Sequence, residues 1–332
     1  MEREVLIIGL REIGASIGLA LRAHDPQCEC AGWDRSGAVA REAQKVGAVN
    51  RLVLSPARAA RHAELLVLAL PSSEVHDFLE VLAPNLAEGA LVIDTGSLKA
   101  EAVGWAASLL PPGRHYVGLL PAANARHLRA GPPGQDEPSA DLFRGGLLGM
   151  VVPPGTAAGA VDRALNLGQI LGARPFFLDP AEADAVVATT EDLPALLGAA
   201  LLHVASTNPG WREVRRLAGR PFGATVASGA LQDGESLRAA LALNRANVLN
   251  RLDQLIEELR SLRGLLADGE PQALRRHLDE AVSAHKDWMA ARLRGDWAAD
   301  DVEHIEVPAA GTLERMLGIR PRRRPKDPPD RD

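Results

Sequence analysis

The chain has 332 residues, of which 46% are hydrophobic, 24% charged and only 3% aromatic, and its formal net charge is −6. That is enough length for two domains with cores built from Leu, Val, Ala and Ile, and the mild acidic balance argues against a nucleic-acid surface. The one basic cluster, Arg320 to Lys326, is mixed with prolines and followed by acids, and reads as part of a solvated tail. No apolar run is expected to reach the ~20 residues of a membrane span, and no signal-peptide pattern precedes the first strand, so the expected compartment is the cytoplasm and no membrane partner is expected.

Val5 to Ile8 is a buried strand that runs into the turn Gly9-Leu10-Arg11-Glu12-Ile13-Gly14 and then a helix, Ile13 to Ala23. A dinucleotide-binding βαβ unit begins this way: one glycine makes the tight turn, a second admits the pyrophosphate, and a third lets helix pack on strand. Here the second of these is Arg11. The next strand, Glu29 to Trp33, ends at Asp34, the acid that would accept hydrogen bonds from an adenosine ribose; as an alternative it caps a helix starting near Ser36. Asp34 favours NAD and Arg35 beside it suits the 2′-phosphate of NADP, so both cofactors stay open. Cys28 and Cys30 lie too close along a strand for a relaxed disulfide and lack further zinc ligands, so they read as buried thiols. The nine histidines show no ligand spacing, and no metal is expected.

A helix over Val39 to Val46 precedes the continuous apolar strand Glu64 to Leu70, which ends at Pro71 in the manner of a fully covered parallel strand. Gly9, Arg11, Ile13, Gly14, Asp34, Arg35, Leu70 and Pro71 are therefore the expected cofactor contacts. After a helix at Val75 to Leu82, Ala90 to Lys99 again reads strand, turn and helix start, placing Ser97 and Lys99 at the sheet's carboxyl edge, where such folds bind ligands. Lysine is only four of the 37 basic residues, which makes Lys99 conspicuous. The alternative is that Ser97 caps the helix and Lys99 is exposed.

Strands follow at His115 to Leu120, Leu147 to Val152 and Pro175 to Leu178. Between the first two lies a long irregular loop, Pro121 to Ala140, whose Arg126, His127 and Arg129 either face an anionic ligand or are simply solvated. Beyond Asp179 the pattern becomes helical: Ala181 to Val204, broken near Pro194; Leu237 to Leu266, with apolar residues from Leu241 to Leu262; and Leu274 to Arg294. The expected architecture is a Rossmann-type, doubly wound, mostly parallel sheet over 1–178, an all-helical domain over 179–298 and a partly disordered tail over 299–332. The helical faces exceed what one copy can cover, which points to a homodimer.

Together, the Gly-x-x-x-x-Gly-x-Ser turn, Gly32-Trp33-Asp34-Arg35, the turn Asp94-Thr95-Gly96-Ser97-Leu98-Lys99, Ala140 to Gly145 and Asn244-Arg245 in the helical part resemble prephenate dehydrogenases, from about residue 4 to about residue 295. The resemblance implies oxidation of prephenate or arogenate with NAD or NADP in tyrosine biosynthesis, with dimerisation through the helical domain. It also implies departures. Where the family reads Gly-Gly-His-Pro and its His takes the substrate's hydroxyl proton, this chain has Leu120. A family pattern of the type His-Asp, then Ser-His-Leu-Pro-His, becomes Ala183-Asp184 and Glu191-Asp192-Leu193-Pro194-Ala195, and the family's carboxylate-binding Arg has no counterpart from Thr225 to Ser228. Ser97 and Lys99 remain as catalytic candidates, and Ser97, Leu120, Glu191 and Asp192 as pocket residues. His127 and His203 are further residues open to recruitment. The expected function is that of a prephenate dehydrogenase-like protein without normal activity, in a binding or regulatory role or with another substrate. The alternative is an active NAD(P)-dependent dehydrogenase.

Overall fold

The computed structural model describes residues 4–128, 137–228 and 234–295. Arg129, much of the loop after it, and the tail from 299 with its basic cluster lie outside the described residues. The first half alternates strand and helix: β1 (Glu4–Ile8), α1 (Glu12–His24), β2 (Glu29–Trp33), α2 (Gly37–Lys45), β3 (Arg51–Leu52), α3 (Pro56–Ala59), β4 (Leu65–Leu68), α4 (Ser72–Leu82), β5 (Leu91–Asp94), α5 (Ala100–Leu109), β6 (His115–Ala122), β7 (Leu147–Val151), α6 (Ala158–Leu171) and β8 (Arg174–Phe177).

These eight strands form one sheet in the order β3-β2-β1-β4-β5-β6-β7-β8. All neighbours are parallel except β6 and β7. Every residue of β4 and β5 is buried, because helices cover both faces of a parallel sheet. One core lies under α1 and α6, with Ile7, Ile17, Val67 and Leu167; the other lies under α4 and α5, with Leu6, Leu66, Leu79 and Ala106. The strand order reverses direction between β1 and β4, and the crevice at that switch point is where open α/β sheets hold ligands. β6 runs on through Pro121 and Ala122, pairing with Leu148 and Leu147, so the irregular loop begins later than its composition implies. The two thiols are buried, with sulfurs 3.6 Å apart.

The second half is helical: α7 (Pro180–Val187), α8 (Leu193–Ser206), α9 (Trp211–Leu217), α10 (Arg220–Ala227), α11 (Gly234–Leu243), α12 (Arg245–Ala267) and α13 (Pro271–Arg294). The capping box of Asp179 and Glu182, with Pro180 in the first turn, fixes where α7 starts. Three expectations need correction here. The interruption between α7 and α8 is a π turn, Ala188–Asp192, upstream of Pro194; the proline has no N–H for the carbonyl four residues before it, and the Thr189 and Thr190 hydroxyls bond back to Ala185 and Val186. The long helix over 237–266 is two helices, broken at Asn244, where side-chain hydrogen bonds to other elements hold the backbone out of helical geometry. Finally, Pro180–Ser206 is long and apolar enough by composition to cross a membrane, with 28% of its most apolar window buried. Its acids are nevertheless hydrogen-bonded to the turn after β5 and to Asn244, which ties it into the protein. α9 and α10 carry no strong sequence signal and were not expected as helices.

Candidate functional site

Sterics dictate the glycines of the first turn. Gly9 has φ of +88°, and a Cβ there would lie 2.1 Å from the Ala69 carbonyl oxygen; at Gly14 it would lie 1.9 Å from that of Gly9, and at Gly18 2.3 Å from that of Ala48. No side chain replaces hydrogen at such contacts without moving backbone. Arg11 differs: its φ of −73° and ψ of −166° are open to any residue, and its side chain points to solvent. The constraint that glycine satisfies in dinucleotide folds is therefore here one of side-chain volume and not of backbone conformation. The Arg11 side chain at the N-cap does not bond the α1 amides, and these N-terminal amides have the character of an anion site.

Asp34 accepts from the Leu10 amide at 2.9 Å and the Ser36 amide at 2.8 Å, joining the end of β2 to the glycine turn. Ser36 itself caps α2, through the Val39 amide. Arg35 pairs with Glu74 of α4 at 3.0 Å. Leu70 and Pro71 follow β4, with Leu70 Cδ2 3.4 Å from where a Cβ on Gly9 would sit, and Ile13 packs on the core. The expected cofactor residues thus gather at the switch point between β1, β2 and β4.

The turn after β5 is a buried polar knot. Asp94 accepts from the Gly96 amide (2.7 Å), the Tyr116 hydroxyl (2.8 Å) and Lys99 Nζ (3.0 Å). Lys99 Nζ also donates to the Asp94 carbonyl at 2.9 Å and to the Gly96 carbonyl. Lys99 is wholly buried, and Gly118 makes room for its stem, since a Cβ there would come within 2.7 Å of Lys99 Cδ. Burial pulls the Lys99 pKa down despite the opposing pull of Asp94, and burial likewise raises that of Tyr116. The alternative of an exposed Lys99 and a helix-capping Ser97 is thereby corrected. Instead, Ser97 Oγ donates to Glu191 Oε2 at 2.5 Å.

The cap on α5 comes from the helical half, a feature with no local sequence signal. Asp184 of α7 accepts from the Lys99 amide at 2.6 Å and the Ala100 amide at 3.2 Å, the bonding of an N-cap supplied across 84 residues. Asn244 Nδ2 donates to the Asp184 carbonyl (3.0 Å) and to Asp192 Oδ2 (2.9 Å). Asp184 and Asp192 are buried; Glu191 is crowded by protein on one side and open to solvent on the other. Loss of hydration is the main cause raising all three pKa values, opposed at Asp184 by the amides it caps, at Glu191 by Ser97 and at Asp192 by Asn244. The π turn places Glu191 and Asp192 in this arrangement, consistent with the tendency of such turns to occur at functional sites.

Leu120 is half-buried on β6 opposite Gly149. His127 and His203 are exposed on the turn Ala125–His127 and on α8, and among the described residues neither bonds to the Ser97 group. In α10, Ser228 Oγ reaches the Pro194 carbonyl at 2.8 Å just past the helix end, so the arginine-free stretch packs on α8. Among the described residues no group of three His, Cys, Asp or Glu is placed to hold a metal.

A Rossmann-type sheet with a glycine turn at its switch point, clasped by an apolar helical segment, defines a two-domain dehydrogenase fold. The chain belongs to the prephenate dehydrogenase family: residues 17–174 match its nucleotide-binding domain and residues 179–280 its dimerization domain. Among relatives, the prephenate dehydrogenase of Bacillus subtilis is 26% identical over 324 residues, covering 96% of this chain and 85% of the relative. The cyclohexadienyl dehydrogenase of Zymomonas mobilis is 25% identical over 290 residues, covering 85% and 94%. The crystal structure of A. aeolicus prephenate dehydrogenase, in complex with hydroxyphenyl propionate and NAD+, shares the fold with a TM-score of 0.74 at 20% identity, over 85% of this chain and 97% of that one.

Proposed function

We propose that this family member does not carry out normal prephenate dehydrogenation, and that it uses a retained dinucleotide scaffold for binding or regulation, or for a different substrate. The observation that carries the reading is the make-up of the face around Ser97. Leu120 stands where the family's proton-accepting His belongs, and leucine moves no proton; general-base help is worth roughly 10²- to 10⁴-fold in rate. Glu191, bonded to Ser97, brings a carboxylate to the place a dicarboxylate substrate would occupy, and like charge there repels it. No arginine from Thr225 to Ser228 is available to bind a substrate carboxylate.

A nicotinamide dinucleotide supplies hydride transfer when bound. Gly9, Gly14, the amides opening α1, and Asp34 are the residues that would hold it, with Ile13, Leu70 and Pro71 alongside. Asp34 favours NAD, and the charge of Arg35, met by Glu74, is a weaker ligand for a 2′-phosphate. Arg11 fills the close-approach position and weakens binding. The helical segment makes the protein a homodimer, and its compartment is the cytoplasm.

A second reading, an active NAD(P)-dependent dehydrogenase of tyrosine biosynthesis or a related oxidoreductase, draws on one observation. Ser97 and Glu191 form a hydroxyl–carboxylate pair with a raised carboxyl pKa, able to take up a proton. Calorimetric titration with NAD and NADP, followed by absorbance of the reduced nicotinamide in the presence of prephenate, separates the two. The first reading expects weak cofactor binding, tightened by Arg11→Gly, and no prephenate-dependent reduction. Firm binding with steady reduction would establish the second.

A further inference from the structure

We infer that the two copies of the proposed homodimer are held in register by an electrostatic contact between an arginine face on α9 of one copy and an acidic stripe on α12 of the other. The inference rests on the homodimer reading and names the surface that makes it.

Arg212, Arg215 and Arg216 are spaced i, i+3, i+4 and so share one face of α9, and Arg220 follows at the start of α10. All four are exposed, and among the described residues none has an ion-pair or hydrogen-bond partner. Three like charges on one helix face repel each other. A chain of net charge −6 that concentrates unpaired arginines there presents them to something acidic. Leu217 of α9 is 85% exposed and Val204 of the preceding α8 67%, so this region also has apolar surface to bury.

The acidic counterpart lies in the same chain. Asn250, Asp253, Gln254, Glu257, Glu258 and Ser261 form one stripe along α12 and line a shallow recess. Asp253 has no partner among the described residues, while Glu257 pairs with Arg260 of the same helix and Glu258 with His277 of α13. Three acids thus face outward on a helix, as three arginines do on α9. Both helices fall within the residues that match the family's dimerization domain, 179–280. In a two-fold dimer such a contact occurs twice, each copy giving its α9 to the partner's α12. Charge pairing of this kind fixes register, while the exposed leucines and valines supply the buried area.

Two charge-swapped chains test this by sedimentation equilibrium. One carries Arg212→Glu, Arg215→Glu and Arg216→Glu; the other carries Asp253→Arg, Glu257→Arg and Glu258→Arg. In either chain alone both contacts become repulsive, and self-association should weaken by about ten-fold or more. Mixed one to one, both contacts become attractive again, and a heterodimer should form; its formation also shows that both chains are folded. For the unaltered chain, raising salt from ~0.1 M to ~1 M shortens the screening length from about 10 Å to about 3 Å and should loosen the dimer. If the unaltered chain dimerises but each swapped chain does so equally well, the proposed contact is wrong while the dimer stands. If the unaltered chain is monomeric at every concentration, the homodimer reading itself falls. If each swapped chain alone is monomeric by sedimentation and natively folded by circular dichroism, yet no heterodimer forms, the pairing of α9 with α12 is overturned.

Discussion

The sheet half and the helical half solve burial in different ways. β4 and β5 bury every residue, and two apolar cores flank them. By contrast α12 buries only Val248 and α13 only Ala291, while Leu259, Leu266, Leu278, Val282 and Leu293 are each at least half exposed. The sheet half completes its own core. The helical half is joined to it by α7, which packs on α5 and β7 and buries Ala183 and Val187, and by polar clasps: Asp184 on the α5 amides, Glu191 on Ser97, and Arg292 of α13 on the Ala123 carbonyl at 2.7 Å. The site therefore sits where a sheet with closed cores meets helices that leave much of their apolar surface exposed.

The sharpest way to break this contrast is at Lys99, wholly buried in the scaffold with Asp94. Lys99→Ala leaves the Asp94 carboxylate buried with Tyr116 and the Gly96 amide but no cation, and removing one member of a buried pair costs about 3–5 kcal/mol. Urea unfolding should show that loss, while Lys45→Ala, on an exposed i,i+3 pair with Glu42, should change stability by less than ~1 kcal/mol. A loss at Lys99 no larger than at Lys45 would mean that the knot is not part of the self-sufficient core. It would also reopen a catalytic role for its ammonium.

How much of this was legible in the sequence follows the same division. Gly9, Gly14 and the apolar runs of β1, β4 and β5 announce the sheet, because a covered parallel strand must be apolar throughout and a tight turn must be glycine. Burial of Lys99 was not legible, since its partner Asp94 is local but Tyr116, which also bonds Asp94, and Gly118, which makes room for the lysine stem, come from the next strand and only β5–β6 pairing brings them there. The π turn was hidden as well: apolar residues keep roughly helical spacing across it, and only Thr189, Thr190 and Pro194 mark the place. Asn244 sat inside an unbroken apolar period, and its role follows from bonds to residues 52 and 60 positions away. Ser97 and Glu191 were each singled out, but as separate pocket residues; that they bond to one another is set by how the helical half docks.

A smaller effect should appear where the halves meet, and its sign is fixed by the raised carboxyl pKa values of Asp184, Glu191 and Asp192. A carboxyl whose folded pKa lies above its unfolded value binds more protons folded than unfolded, so stability falls as pH rises from near the ordinary ~4 through the raised value. This is opposite to the usual salt-bridged acid. Lys99, with a lowered pKa, contributes in the other direction, with stability rising with pH up to its ordinary ~10.4. Melting temperature should accordingly drop as pH rises above the ordinary carboxyl range. Glu191→Gln with Asp192→Asn should flatten that drop, since both amides keep acceptors for Ser97 and Asn244. A slope that survives both substitutions unchanged would place the titrating groups elsewhere.

The smallest effect on the single chain should come from Leu217, and that smallness is what makes it informative. In the sheet, Leu66 is fully buried, and Leu66→Ala should cost about 2–5 kcal/mol through lost contacts and the cavity left behind. Leu217 is 85% exposed on α9, so Leu217→Ala in dilute protein should lie within about 0.5 kcal/mol of the parent. At high concentration the balance changes: whatever binds only the folded chain raises apparent stability by mass action. Melting temperature of the parent should therefore climb with protein concentration, and climb less in Leu217→Ala, whereas Leu66→Ala shifts the whole series downward without altering its slope. Were Leu217→Ala to cost as much as Leu66→Ala in dilute solution, the helical half would be closing a core of its own, and the contrast between the two halves would fail.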